Sequence, residues 1–378
     1  MTFTLKMSGL YIHIPYCKQA CNYCDFHFST SLGTKTELVN SMVRELEIRK
    51  DYLDNKQLQS LYFGGGTPSL LLRSEMEILF EAINKIYKIE PSSEITIECN
   101  PDDVTEANLI DWRELGFNRL SIGLQSFDDI ELKWMNRAHN ASESLACVKL
   151  AQSKGFKNIS IDLIYGSKFQ TESSWHNTLQ KIIELNIQHI SAYNLTIENG
   201  TLLGYSVKKG NEPTVREDFS AWQFETLVKE LVKSGFIHYE ISNFAKPDFF
   251  AVHNSNYWRQ KTYIGIGPSA HSYNLKSRQW NLRNNQLYIK AIGLDENFFE
   301  TEILTRDNQF NEYILTGLRT KWGCSLKQIE MEFGSEIKSH CLTILNKNKT
   351  HLLLENDVFC LTDAGKLYAD KISADFFI

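Results

Sequence analysis

The chain has 378 residues, enough for one large α/β domain and a smaller one. It is 42% hydrophobic and 23% charged, as soluble globular proteins are, and its formal net charge of −6 excludes a general attraction to nucleic acid or anionic lipid. No apolar run approaches the roughly 20 residues that span a bilayer, and "MTFTLKMSGLYIHIPYC" lacks an apolar h-region, so no secretory signal and a cytoplasmic location are expected.

From residue 10 to about 245 the sequence alternates strand-like and helix-like stretches. The first strand, "LYIHIPY", sets Ile12 and Ile14 against Tyr11 and His13 on opposite faces. Directly behind it come Cys17, Cys21 and Cys24. A helical stripe of Val39, Met42, Val43 and Leu46 follows, then "LQSLYFGG", then a second stripe of Met76, Leu79, Phe80 and Ile83. "EITIECNP", "RLSIGLQS", "NISIDLIYG" and "HISAYNLT" complete the strands, and Gly116, Gly155 and Gly235 stand where helices should stop. Such alternation predicts a parallel sheet with right-handed crossovers.

Strand faces choose between an open sheet and a barrel. Ile95, Ile97 and Cys99 alternate with Thr96 and Glu98; Leu120, Ile122 and Leu124 alternate with Ser121, Gly123 and Gln125. Ile159, Ile161 and Leu163 do the same against Ser160 and Asp162. A sheet covered on both sides would be apolar on both faces. One polar face, toward the strands' C-terminal ends, predicts a barrel lining a site there. About six units rather than eight make it an incomplete (β/α) TIM-type barrel over 1–245. Residues 246–290 are expected to form a separate segment. Residues 291–378 are expected to form a small winged-helix-like domain, ending in "HLLLENDVFCLTDAGKLYAD". Over 309–378 eight Lys and Arg face nine Asp and Glu, so that domain is expected to pack or cap and not to read DNA.

Eight cysteines in a chain expected to be cytosolic favour metal or thiol chemistry over disulfides. Cys99, Cys147, Cys324, Cys341 and Cys360 are isolated, and most of them are expected to be buried, inert thiols. The opening trio needs a fourth ligand. Zinc would take His13 or His27, but structural zinc sites usually pair two knuckles and the sequence has no second one. A [4Fe–4S] cluster would take three thiolates on three irons and leave one iron open to a ligand that is not protein.

CxxxCxxC after "YIHIP", with Tyr23 before the last cysteine, resembles the radical S-adenosylmethionine (SAM) superfamily. "YFGGGTPSLL", "IECNPDD", "RLSIGLQSFDD", "NRAH" and "SIDLIYG" follow in the order of its oxygen-independent coproporphyrinogen oxidase-like branch. The resemblance covers about 10–275 closely and implies that SAM chelates the open iron. It implies a rim of Tyr11, Tyr23, Gly65, Gly66, Thr67, Glu98, Gln125, Arg137 and Asp162. Gly64, Gly65 and Gly66 expose backbone to a carboxylate or amine partner. Glu98 suits the amino end of SAM, Asp162 suits a ribose hydroxyl, and Arg137 by resemblance meets a ligand carboxylate.

That branch holds porphyrinogen dehydrogenases and heme chaperones. The dehydrogenases continue CxxxCxxCxC and carry a longer leading segment; here Asp25 and Phe26 follow Cys24, and sixteen residues precede Cys17. "HNSNYW", from His253 to Trp258, matches the chaperone group's HNxxYW motif. Imidazole is a common heme ligand, so His253 is the expected ligand, with Tyr257 and Trp258 against the porphyrin and His271 as the alternative. "GIGPSAHSY" reads as a loop closing over the site. The expected cofactors are thus a [4Fe–4S] cluster, SAM and heme. The expected activity is heme trafficking, with a porphyrinogen dehydrogenase or another radical enzyme as the alternative. Expected partners are heme and heme-accepting proteins, with hand-over at the membrane and a homodimer both left open.

Overall fold

Alternation of apolar and polar residues sets the architecture, seen in a computed structural model that describes residues 8–378. Residues 1–7, which begin the segment expected not to be a secretory signal, lie outside the described residues. Six strands run parallel and in chain order: β1 (Ser8–Ile14), β2 (Gln57–Gly65), β3 (Lys88–Cys99), β4 (Arg119–Gln125), β5 (Asn158–Tyr165) and β6 (His189–Asn194). Their apolar residues face the surrounding helices. Leu10, Ile12, Ile14, Leu61, Phe63, Ile97, Leu120, Ile122, Ile159 and Ile161 are fully buried there, each worth about 1.5–3 kcal/mol. The predicted helical stripes lie on Lys35–Ile48 and Arg73–Ile86, with Val39, Met42, Leu46, Met76, Leu79, Phe80 and Ile83 buried. Gly116, Gly155 and Gly235 end helices with φ of 97°, 86° and 82°, a conformation glycine adopts without strain.

The sheet does not close. β7 (Ile237–Glu240) and β8 (Asn243–Ala245) add antiparallel strands beyond β6. On the other side β9 (Tyr263–Ile266) lies parallel to β1, followed by antiparallel β10 (His271–Tyr273), β11 (Ser277–Asn281) and β12 (Phe299–Ile303). Among the described residues the result is a curved twelve-stranded sheet with β12 and β7 at its ends. The incomplete barrel is as expected, but the segment 246–290 is not a separate unit. Its strands extend the barrel sheet, and Tyr288, Ala291, Ile292 and Phe298 belong to the barrel's own core. The second core starts only at Phe310, so the boundary falls after β12 and not at 290. Pairing between distant segments decides this, and no local pattern reports it.

That second core runs helix Arg306–Leu318, β13 (Cys324–Ser325), helix Leu326–Lys347, then β14 (Leu352–Glu355) and β15 (Val358–Leu361). Gly334, at φ 87° and ψ 168°, breaks the long helix in two. The order of this domain's first elements is helix, strand, two helices, two strands. No helix of the described residues is long and apolar enough to cross a membrane.

Candidate functional site

The polar strand faces line the inside of the barrel. At the strands' C-terminal mouth, the loop after β1 carries Cys17, Cys21 and Cys24, all partly buried. Backbone and amide contacts hold this loop. Cys17 N–H donates to Ser29 O at 3.0 Å, and Asn22 N–H to Met135 O at 3.2 Å. Asn22 Nδ2 donates to Trp134 O at 2.6 Å; Gln19 Nε2 donates to Asn136 Oδ1 at 2.6 Å, and Asn136 Nδ2 returns to Ala20 O at 2.7 Å. Lys18 reaches Asp102 Oδ2 at 2.8 Å and also Asp103. Burial pushes the Cys17 thiol up, and the Cys24 thiol up to about 11. A thiolate-binding metal must displace those protons.

The rim residues converge on the same mouth. Arg137 Nη2 donates to Asn100 Oδ1 at 2.7 Å and Gly123 O at 2.6 Å, while Nη1 approaches Cys21 Sγ at 3.5 Å. Asn100 Nδ2 donates to Thr67 Oγ1 at 3.3 Å, and Thr67 Oγ1 to Cys17 Sγ at 3.4 Å. One polar chain therefore joins Arg137 to two of the thiols. Gln125, at φ 64° where β4 slips register on β5, folds back over its own strand. A Cβ on Gly123 would stand 3.0 Å from Gln125 Nε2 and 3.3 Å from Arg137 Nη2. A side chain at Gly123 would push on both of them. Gly66 is similarly constrained, since a Cβ there would lie 2.7 Å from Tyr16 O. Tyr23 packs beside Met135, Ile164, Leu195 and Leu203. Tyr11 bonds His13 Nδ1 at 3.0 Å.

Glu98 accepts from Tyr62 OH at 2.7 Å and from Gly65 N–H at 3.1 Å. Burial raises its carboxyl to about 7, against a smaller opposing pull from the Tyr62 hydrogen bond. Asp162, with Ser121 Oγ at 3.4 Å, is raised by burial to about 6, opposed by Arg119. Below them the interior stays polar to the base of the barrel, with Ser60, Thr96, Arg119, Ser160 and His189 buried on the same face. Polarity was expected only toward the C-terminal ends.

His253 belongs to that base. The helix Val252–Trp258 crosses beneath the strands, and Glu94, midway along β3, accepts from Val252 N–H at 2.9 Å and His253 N–H at 3.0 Å. His253 Nδ1 pairs with Ser60 Oγ at 2.9 Å, and its ring centroid lies 5.0 Å from that of Tyr62 and 6.1 Å from that of Tyr11. Burial, then Arg119, lowers it to about 4, so it is neutral. Its position is at the opposite end of the strands from the cysteines. Tyr257 is 40% exposed, and Trp258 lies under the Arg319 guanidinium at 5.2 Å.

Of the two histidines of the zinc alternative, His13 has both ring nitrogens engaged and His27 one. His13 uses Nδ1 on Tyr11 and Nε2 on His27 O at 3.2 Å; His27 uses Nε2 on Asn285 Oδ1 at 2.7 Å. Among the described residues no three His, Cys, Asp or Glu side chains gather so as to hold a single metal ion. Three accessible thiols beside an arginine and a glycine-edged rim fit a multi-iron group with an outside ligand. Cys99, Cys147, Cys324 and Cys341 are buried, as expected; Cys360 is only partly so. Asn100 and Tyr62 were not foreseen as part of the site. Asn100 directly follows the β3 end that carries Glu98, and Tyr62 shares the inner face of β2 with Gly64, so strand alternation alone would have flagged both.

Residues 11–182 match the model of the radical SAM superfamily. The heme chaperone HemW of Lactococcus lactis is 33% identical over 99% of this chain and 98% of its own. HemW of Escherichia coli is 37% identical over 70% of this chain and 69% of its own. Among solved structures, coproporphyrinogen III oxidase (HemN) of Escherichia coli, described as a radical SAM enzyme, superposes with a TM-score of 0.84 at 23% identity. That match covers 98% of this chain and 90% of the other.

Proposed function

Because this chain belongs to the radical SAM superfamily and, within it, to the HemW family, we propose that it is a heme chaperone that keeps a cluster and SAM site at its mouth. Cys17, Cys21 and Cys24 would hold a [4Fe–4S] cluster. SAM would lie against Tyr11, Tyr23, Gly65, Gly66, Thr67, Glu98, Gln125, Arg137 and Asp162. Bound together, cluster and SAM supply reductive radical chemistry. The chain's own contribution is to orient them: Arg137 is fixed for a ligand carboxylate and Glu98 for an ammonium. Heme is the cargo, bound through a histidine, His253 or His271, and passed to acceptor proteins.

The end-to-end relation to HemW carries the proposal. The oxidase HemN is related at a level that speaks to fold alone. Anaerobically reconstituted protein is expected to bind hemin, read by a Soret band, and to leave coproporphyrinogen III unchanged. Formation of protoporphyrinogen in that assay would restore the enzyme reading.

A second measurement addresses the rim. Asp162→Ala is expected to weaken SAM binding by about 1–3 kcal/mol in calorimetry, with the cluster absorbance intact. Glu98 predicts the pH dependence. Its folded value of about 7 lies above the ordinary 4.5, so the folded chain keeps a proton that the unfolded chain releases. Stability therefore falls as pH rises from 4.5 to about 7. SAM affinity moves the other way, because an ionised Glu98 attracts the ammonium. It should rise across pH 6–8 in the native chain and stay flat in Glu98→Gln. Equal slopes in the two proteins would remove Glu98 from the site.

A further inference from the structure

The mouth carries a second group of side chains that neither the cysteine loop nor the SAM rim uses. The turn after β9 brings it there. Gly267 sits at φ 103°, where a Cβ would lie 2.6 Å from His13 O, so the turn lies directly on the C-terminal end of β1. Two hydrogen bonds fix it: Gly267 N–H to Glu45 Oε2 at 2.8 Å and Asn281 Nδ2 to Gly267 O at 2.8 Å. His271 leaves this turn at the start of β10. It is exposed, it has no hydrogen-bond partner among the described residues, and its ring centroid lies 6.3 Å from that of Trp280 on β11.

Facing it across His13 is the end of the cysteine loop. His27 stacks on His13 at 6.4 Å, and Phe26, two residues past Cys24, is 69% exposed. Arg283 is exposed and donates one guanidinium nitrogen to Asp25 O. His271 and Arg283 both bear electrostatically on His13, which sets them around one opening. A large aromatic ring exposed beside a metal-binding loop loses hydrophobic free energy unless something flat covers it.

We propose that heme docks on this mouth with His271 as its iron ligand, Phe26 and Trp280 against the macrocycle, and Arg283 on a propionate. The inference rests on the heme-chaperone reading and names the site within it. An imidazole nitrogen of His271 donates its lone pair to iron without giving up a hydrogen bond. His253 offers less: its Nδ1 is engaged by Ser60, and its ring is packed on Tyr62 and Tyr11 inside the base. Partial burial of the ring, then the nearby Arg278, hold His271 below its ordinary pKa, which keeps it neutral at pH 7. Arg283 has further guanidinium donors for a carboxylate. Heme bound here lies beside the cluster, so cargo and cofactor share one opening.

The test is an anaerobic hemin titration of the reconstituted full chain, followed by absorbance. His271→Ala should shift the Soret band, weaken hemin binding by about tenfold or more, and keep the iron–sulfur absorbance. Added free imidazole should restore the ligated band in hemin that co-elutes with the variant on gel filtration, which a merely misfolded variant would not retain. Arg283→Ala should weaken binding while leaving the Soret position unchanged. A native Soret band and affinity in His271→Ala, with the band lost in His253→Ala instead, would overturn this assignment and leave the chaperone reading standing. Failure of the native chain to bind hemin at all would overturn both.

Discussion

Replacing Cys17, Cys21 or Cys24 by alanine is expected to strip anaerobically reconstituted protein of its full complement of about four irons, together with the matching sulfide. Each thiol is partly accessible, none is paired in a disulfide, and both ring nitrogens of His13 are already engaged. With two protein ligands a four-iron group loses the geometry that keeps only one iron open. The fold should survive, because the loop's hydrogen bonds run through Cys17 N–H, Gln19, Asn22 and Asn136 and not through sulfur. Circular dichroism unchanged beside lost iron is the expected pair of readings. Stoichiometric zinc in the native protein, without sulfide, would sink the cluster.

The second large effect is on stability. Glu45 is fully buried and Arg49 5% exposed on the helix Lys35–Ile48 and its end, paired at 2.9 Å. Arg49 also donates to Gly265 O at 3.1 Å, Ser272 Oγ at 2.9 Å and Gln279 Oε1 at 2.8 Å. Glu45 accepts from Gly267 N–H, Asn281 and Tyr288. The pair thus ties the first helix to β9, β10 and β11. Glu45→Ala strands the Arg49 charge among buried groups, at a cost of about 3–5 kcal/mol. Thermal unfolding should start roughly 5–10 °C lower. Replacing both residues by methionine should cost less than Glu45→Ala alone, since no orphan charge remains. Equal losses in the two variants would mean that packing, and not charge, sets the effect.

The parts of the molecule legible in the sequence are those fixed by short-range periodicity. Stripes such as Met76, Leu79, Phe80 and Ile83 gave helices their inner face, and Ile95, Ile97 and Cys99 against Thr96 and Glu98 gave β3 its two sides. Cysteine spacing, the glycine triplet and the polar strand ends located the mouth for the same reason. What local pattern does not carry is pairing across a long separation. The bond from His253 N–H to Glu94 spans 159 residues, so nothing near "HNSNYW" announces that it seals the base. The three- to five-residue strands β8 to β12 are equally silent. They are too short to alternate convincingly, and their place beside β1 or β6 rests on partners far along the chain. Arg119 opens β4 as one charge before an apolar run. Its burial follows from the barrel's curvature and not from its neighbours in sequence.

The cysteine loop has a consequence for the order in which the protein matures. Small zinc domains need their ion to fold, because the metal bonds are most of what holds them. Here the loop is anchored to Ser29, Trp134, Met135 and Asn136 by groups other than the thiols. Translation and folding can therefore finish before any iron arrives. Loading becomes a late, separable event at a preformed docking bay, and loss of the iron should leave the loop's anchors in place.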